Sequence, residues 1–360
     1  MPSATTPTLA LPLSGYDPPP LPPAATPRRR KPLAPEMRIG MWRIERELGR
    51  GGMATVYAVV HTRFGKRAAL KLAHRSILGP RFTPETFLRE ACTANLINHP
   101  GVAEVFATGT YDGRPYLAME RLSGQSLGAR LDHPMSRDEA LEILIELCDV
   151  LAAAHAAGVT HRDLKLDNVF LLGARGADGR RTKLLDWGMA RIANEDDPLR
   201  GMIAGTLTYV APEQARGDDV TPAADIYALA VLTYQLLFGE PPFTSRNDLD
   251  LIRQHLRDEP PRPRTLWSAI PRALEATLVA MLAKQPEDRP ALADIVRVLG
   301  EARDRLRPSK LRWLEPPAAP PNDVIGRPVF PLLATRQQRT AGAALGLALT
   351  VASLLQLLSA

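Results

Sequence analysis

Between Trp42 and Leu72 apolar and polar residues alternate in short runs: Ile44 then Leu48, Val56 with Ala58 and Val60, then Ala69 to Leu72. Side chains of a strand point to opposite faces in turn, so this period of two predicts strands with one buried face. Gly49, Gly51, Gly52 and Gly65 punctuate the runs, which points to a glycine-turned antiparallel sheet. One helix interrupts it from about Pro84 to Ile97, and strands return at Val102–Ala107 and Pro115–Glu120. Past Leu122 the period lengthens. Ser136 followed by Glu139 makes a capping box, apolar residues recur from Leu141 through Leu151, and Gly158 supplies a stop. A second helix, about Pro222 to Phe238, is apolar almost all round, yet its unbroken apolar run is too short for a bilayer. It is expected to be a buried central helix. Helices at about Arg272–Ala283 and Ala291–Arg305 follow. The pattern predicts an α+β protein, a small antiparallel sheet lobe with one main helix and then a larger, mostly helical lobe.

Composition divides the chain differently. Eleven of the 34 prolines lie in residues 1–40 and seven in 301–360. The net charge of +6 splits the same way, with +3 in the first segment, +4 in the last and −1 between. Residues 1–36 read as a disordered Pro-rich arm carrying the basic run Arg28-Arg29-Arg30-Lys31, because such a composition cannot bury enough apolar surface to offset ordering. Residues 304–340 read as a Pro-rich juxtamembrane linker, prolines returning from Pro308 to Pro331. Residues 341–360 carry no charge, and 341–358 is expected to be a single transmembrane helix, with Arg336 and Arg339 on the cytoplasmic side. The alternative for this stretch is a terminal amphipathic or buried helix. Almost nothing follows the span, so no external sensor domain is expected on this chain. The middle segment is near neutral, so no nucleic-acid partner is expected, and the basic flanks suit an anionic lipid surface. No secretory signal is legible in the first 27 residues. Cys92 and Cys148 form no metal-binding or disulfide pattern and are expected to be buried, inert thiols in a reducing cytosol.

Candidate chemistry lies between the flanks. Leu48-Gly49-Arg50-Gly51-Gly52-Met53-Ala54-Thr55-Val56 joins two predicted strands, and glycines there let backbone N–H groups approach phosphate oxygens. Lys71 stands in an apolar strand and needs an anion; Glu90 on the following helix is its protein partner. Then come His161-Arg162-Asp163-Leu164-Lys165-Leu166-Asp167-Asn168, Asp186-Trp187-Gly188 and Ala211-Pro212-Glu213. These motifs, in this order and spacing, resemble a protein kinase catalytic domain of the bacterial serine/threonine type over residues 37–303, with lobes 37–121 and 122–303.

The resemblance implies roles. Lys71 holds the ATP phosphates and Glu90 orients it; Asp163 accepts the proton of a Ser or Thr hydroxyl on a protein substrate, and Lys165 steadies the γ-phosphate. Asn168 and Asp186 ligate Mg²⁺, with Mn²⁺ as the alternative ion. Leu48, Gly49, Gly51, Gly52, Met53, Val56, Ala69, Lys71, Glu120, Leu122 and Phe170 contact the nucleotide. Met119 guards the back of the adenine pocket, and Glu120 to Leu122 form the hinge. Glu213 and Arg289 form a buried ion pair, Asp225 fastens the catalytic loop, and Thr206 bonds Asp163 and Lys165. Membrane attachment through the C-terminal helix, expected from the uncharged stretch and not from the resemblance, and pairing of kinase domains are the further partners expected, with the domain on the cytoplasmic face.

Three departures stand out. Ala54 replaces the third loop glycine, and Trp187 replaces a phenylalanine. The stretch from Gly188 to Gly205 contains no Ser, Thr or Tyr, although Arg162, which ordinarily receives an activating phosphate, is present. One of Glu195, Asp196 and Asp197 is therefore expected to pair with Arg162; the alternative is a solvated acidic loop. Two rival functions remain open at this point, an ATP-binding pseudokinase scaffold and a small-molecule phosphotransferase.

Overall fold

The computed structural model describes residues 33–79, 83–195, 197, 199–201 and 205–306. The proline-rich arm before Leu33, the linker beyond Leu306 and the expected span at 341–358 lie outside these residues.

The chain enters through β1 (Arg38–Ile39), β2 (Trp42–Arg50), β3 (Ala54–His61) and β4 (Arg67–Ala73), crosses helix α1 (Pro84–Ile97), and returns as β5 (Val105–Tyr111) and β6 (Arg114–Glu120). These make one antiparallel sheet in the order β1-β2-β3-β4-β6-β5. Register explains what the sheet presents. Val56 lies opposite Lys71, Ala69 lies two residues before Lys71 and opposite Met119, and Lys71 lies opposite Leu117. Directly paired residues, and residues two apart, share a face, so Val56, Ala69, Lys71 and Met119 all look the same way. Helix α1 begins where expected because Thr83 caps it, its hydroxyl accepting from the Thr86 N–H at 3.3 Å, and Pro84 sits at the first position.

After β7 (Gly124–Ser126) and the short α2 (Leu127–Arg130), helix α3 (Arg137–Ala156) opens the helical lobe. Ser136 caps α3 by accepting the Glu139 N–H at 3.1 Å, while the Glu139 carboxylate, the expected other half of a capping box, binds Arg130 at 3.0 Å. Strands β8 (Val159–Thr160), β9 (Val169–Leu172), β10 (Thr182–Leu184) and β11 (Arg191–Ile192) form two small antiparallel sheets, β10-β9-β7 and β11-β8. Helices α4 (Pro212–Arg216), α5 (Ala223–Phe238), α6 (Asp248–Arg257), α7 (Pro263–Leu266), α8 (Arg272–Met281) and α9 (Leu292–Leu306) complete the lobe. As its apolar run predicts, α5 is central: Tyr227, Leu229, Ala230, Val231, Leu232 and Tyr234 are wholly buried, in one core with α3, α8 and α9.

The structure corrects several details. The strand expected at Val102–Ala107 runs instead over Val105–Tyr111, because Val102 pairs as an isolated parallel bridge with Leu184. Helix α6 was not expected; it buries Leu251, Ile252 and His255, with Leu249 and Leu256 packed beside them, and Asn247 caps it. Cys92 is exposed on the outer side of α1, whereas Cys148 is buried and burial pushes its thiol up to about 12. The expected span at 341–358 is not among these corrections, lying outside the described residues, among which no helix is long and apolar enough to cross a membrane.

Candidate active site

Three backbone features hold the candidate catalytic groups. Strand β4 presents Lys71, helix α1 presents Glu90, and the loop from β8 to β9 presents Asp163, Lys165 and Asn168. Lys71 Nζ donates to Glu90 Oε2 at 2.7 Å and to Asp186 Oδ1 at 2.9 Å. Burial alone lowers an ammonium's pKa, but the two carboxylates outweigh it and hold the Lys71 ammonium charged well above its usual range. Glu90, only 9% exposed at its side chain, is pushed up to about 7 by burial against the pull of Lys71. Asp186 lies on the low side of the carboxylate range: burial opposes this, and the adjacent Lys71 dominates. Two carboxylates against one ammonium leave an excess negative charge, which suits a cation arriving with the phosphates.

The catalytic loop adopts a conformation that side chains ordinarily resist. Arg162 has φ +67° and Asp186 φ +63°, each in the left-handed region, where a non-glycine residue persists only if its surroundings fix it. Asp225, wholly buried at the start of α5, accepts the His161 N–H through Oδ2 and the Arg162 N–H through Oδ1, both at 2.9 Å. Burial would raise its pKa, yet the His155 hydrogen bond at 2.8 Å and the nearby histidines hold it low, so it stays ionised. Gln214 Nε2 secures the other side of the same residue through the Arg162 carbonyl at 3.0 Å. His161 meets the Trp187 ring edge to face at 4.6 Å, so the tryptophan fills the place of the expected phenylalanine.

Asp163 is 8% exposed and engaged on both oxygens. Oδ1 accepts the Thr206 N–H at 3.0 Å and the Thr206 hydroxyl at 3.1 Å; Oδ2 accepts Lys165 Nζ at 2.6 Å and Asn168 Nδ2 at 3.3 Å. Lys165 also donates to Thr206 Oγ1 at 3.1 Å, as expected for a threonine that ties base to lysine. Gly205 permits this approach: its φ is +104°, and a Cβ there would stand 3.1 Å from the Arg162 carbonyl.

Fit to a divalent cation can be tested on these atoms. Asn168 uses Nδ2 on the Asp163 carbonyl at 2.8 Å, which leaves Oδ1 as its free acceptor, and Asp186 gives Lys71 one of its two oxygens. Both remaining atoms are hard oxygens. Among the described residues no cluster of three His, Cys, Asp or Glu side chains could hold a metal alone. Such sparse ligation is what Mg²⁺ accepts when substrate phosphates complete its sphere.

Some of the expected nucleotide positions share one face of the sheet, and the others lie on separate elements. Val56, Ala69 and Met119 share the sheet face with Lys71, and Phe170 lies opposite Lys183 on β9. The Glu120 N–H is committed to the Glu104 carbonyl at 2.8 Å and its carboxylate to Lys183 at 2.6 Å, so any contact from Glu120 to a base comes from its carbonyl. Leu122 follows, half-buried, and Leu48 is 39% exposed at the loop's entry. Gly49 and Gly51 have neither a positive φ nor a close neighbour that a Cβ would strike. Their lack of side chains is therefore not demanded by the protein's own packing, and it lets a ligand approach the loop closely, although the Gly51 N–H donates to the Ala54 carbonyl at 2.9 Å and the Gly52 and Met53 carbonyls are engaged by His74.

Acidic residues of the stretch from Asp186 to Glu213, the activation segment, find arginines. Arg162 Nη1 and Nη2 bind Asp197 Oδ1 and Oδ2 at 2.8 and 2.5 Å, the pairing expected of one of the three acids. Arg89, next to Glu90 on α1, binds Glu195 at 2.6 Å, a contact that spacing alone could not reveal. Glu213 and Arg289 form the expected buried pair at 2.6 and 2.8 Å.

A bilobal fold with this lysine–glutamate pair, base-bearing loop and metal-suited oxygens defines a phosphotransferase of the kinase type. The chain belongs to the protein kinase domain family, which it matches over residues 42–298. It is 40% identical over 299 residues to the serine/threonine-protein kinase Pkn1 of Myxococcus xanthus, a match covering 79% of this chain and 43% of that protein. It is 35% identical over 276 residues to pkn3 of the same organism, covering 74% and 50%, and 34% identical over 280 residues to PknA of Mycobacterium tuberculosis, covering 75% and 64%. The chain thus spans about half the length of these relatives.

Proposed function

We propose that this protein transfers the γ-phosphoryl group of ATP to Ser or Thr hydroxyls of proteins, in bacterial signal transduction. The observation that carries the reading is the simultaneous engagement of Lys71 with Glu90 and Asp186 and of Asp163 with Lys165 and Thr206. Phosphoryl transfer rests on positioning and charge neutralisation, and these groups supply both. Lys71 binds phosphate oxygens, Asp163 orients the attacking hydroxyl and accepts its proton, and Lys165 balances charge on the transferred group. Asn168 and Asp186 would hold Mg²⁺, which supplies neutralisation of phosphate charge when bound. Lys165 together with the Ala211-Pro212-Glu213 segment favours a protein substrate over a small molecule. Purified protein with labelled ATP and a generic basic protein should show transfer that Asp163→Asn lowers by about 10²–10⁴-fold. Nucleotide binding without transfer in the wild type would establish the scaffold reading instead.

The Arg162–Asp197 pair supports a second element of the reading. A carboxylate occupies the guanidinium that a phosphate would otherwise engage, so the kinase is active without phosphorylation of its activation segment. Attachment to the cytoplasmic membrane through 341–358, with the kinase facing the cytoplasm, is supported by the uncharged stretch and by Arg336 and Arg339. Fractionation should find the full chain with membranes and a chain ending at Arg339 in the soluble fraction; identical partitioning would end that reading.

A further inference from the structure

The ladder between β3 and β4 ends at Ala54 opposite Ala73, but His74 extends it in an unusual way. Its backbone N–H donates to the Met53 carbonyl at 2.8 Å, and its ring reaches one peptide further, with Nδ1 3.1 Å from the Gly52 carbonyl. A carbonyl only accepts, so Nδ1 carries the proton. Nε2 lies 2.9 Å from Thr55 Oγ1 and, in the neutral ring, accepts from that hydroxyl. Thr55 is 4% exposed, and burial, reinforced by the charges of Arg50 and Arg114, keeps the His74 pKa below its ordinary value despite the Gly52 hydrogen bond. The neutral ring is thereby fixed in one tautomer and one orientation.

The consequence lies in the peptide planes. In a trans peptide the carbonyl and the following N–H point in opposite directions. Because the Gly52 and Met53 carbonyls both turn toward His74, the N–H groups of Met53 and Ala54 both turn away from it. Successive N–H groups facing one side form an anion-binding concavity.

We propose that His74 is a positioning residue for the phosphate end of ATP: it draws the Gly52 and Met53 carbonyls aside so that the Met53 and Ala54 N–H groups face the β- and γ-phosphates. The inference rests on the reading of the cleft as an ATP site and predicts a selective effect. Removing the ring frees the loop's peptides to rotate, which weakens ligands in proportion to their phosphates and leaves the adenine end untouched.

Calorimetry on the full chain with Mg²⁺–ATP, Mg²⁺–ADP and adenosine tests it. His74→Ala should weaken ATP by about five- to tenfold, ADP by less, and adenosine by under twofold. In turnover, the KM for ATP should rise more than kcat falls. His74→Asn, whose amide N–H can reach the Gly52 carbonyl, should recover part of the loss. Thr55→Val should repeat part of it, and the double variant should fall short of the sum because both changes act through one ring. Adenosine binding reports an intact fold. An equal loss for adenosine and ATP, or no change in either, overturns the role of His74. Failure of the wild type to bind ATP at all overturns the ATP reading itself, and is told apart by that.

Discussion

The activation segment is held by the same chemistry at two depths. At its C-terminal end Arg289 and Glu213 meet with side chains 0% and 1% exposed, and Arg289 also donates to the Ala223 and Ala283 carbonyls. In its middle Arg162 and Asp197 meet at 3% and 13%, and two residues earlier Arg89 and Glu195 at 25% and 50%. A buried pair is costly to separate because either partner left alone keeps an unsolvated charge, whereas an exposed pair is rehydrated as it opens. The deep pair therefore behaves as a rivet of the fold and the exposed Arg89–Glu195 pair as a latch; Arg162–Asp197 is a latch of intermediate depth, its arginine nearly as buried as Arg289 and its carboxylate less so.

The largest effect should come from breaking the rivet. Glu213→Ala is expected to cost about 3–5 kcal/mol in denaturant unfolding, because Arg289 stays buried and unpaired. Replacing both partners with apolar residues of similar volume should restore most of that. A loss below 1 kcal/mol for the single change would erase the distinction between rivet and latch.

Next in size is Asp197→Asn, which keeps shape and removes charge. It should lower kcat by about tenfold while costing only roughly 1–2 kcal/mol of stability; unchanged kcat would show that the latch has no catalytic consequence. Its pH dependence sharpens the point. Burial raises the Asp197 carboxyl, but Arg162 wins and its folded pKa lies below the unfolded value of 3.8. A depressed carboxylate contributes fully above the unfolded pKa and is lost only as pH falls through the folded one. The latch should hold unchanged from pH 5 to 8, whereas a phosphate latch would change charge near its second pKa of about 6. A step in kcat near pH 6 that Asp197→Asn abolishes would contradict this. The smallest effect belongs to Glu195→Gln, about 0.2–1 kcal/mol and shrinking with added salt, read as a slightly weaker affinity for ATP.

How far the sequence speaks follows the range of each interaction. Helix α1 was legible from end to end because Thr83, Pro84 and its periodic apolar residues are local signals. Asp163, Lys165 and Asn168 were legible for the same reason, lying within six residues of one another and carrying a recognisable motif. Asp225 and the Glu213–Arg289 pair became legible only through the resemblance, since nothing local to Asp225 shows that it receives two N–H groups more than sixty residues away. The three acids at 195–197 could be proposed as a group but not separated, because the choice of Asp197 depends on how the chain turns, with Asn194 at φ +62°. Arg89 with Glu195, 106 residues apart, and His74 with the glycine-rich loop had no sequence signal, for arginine and histidine on an exposed strand end or helix face are ordinarily just solvated.

The Arg89–Glu195 contact makes the two lobes thermodynamic partners. It joins the helix that carries Glu90 to the segment that carries the latch, so whatever orders one stabilises the other. Linkage is reciprocal: if an ordered segment tightens ATP by some factor, bound ATP favours the ordered segment by the same factor. With an exposed pair worth at most about 1 kcal/mol, the share of that factor carried by Arg89–Glu195 is capped near five. Through this contact nucleotide occupancy and segment order are thus coupled softly, as a graded response and not as a switch.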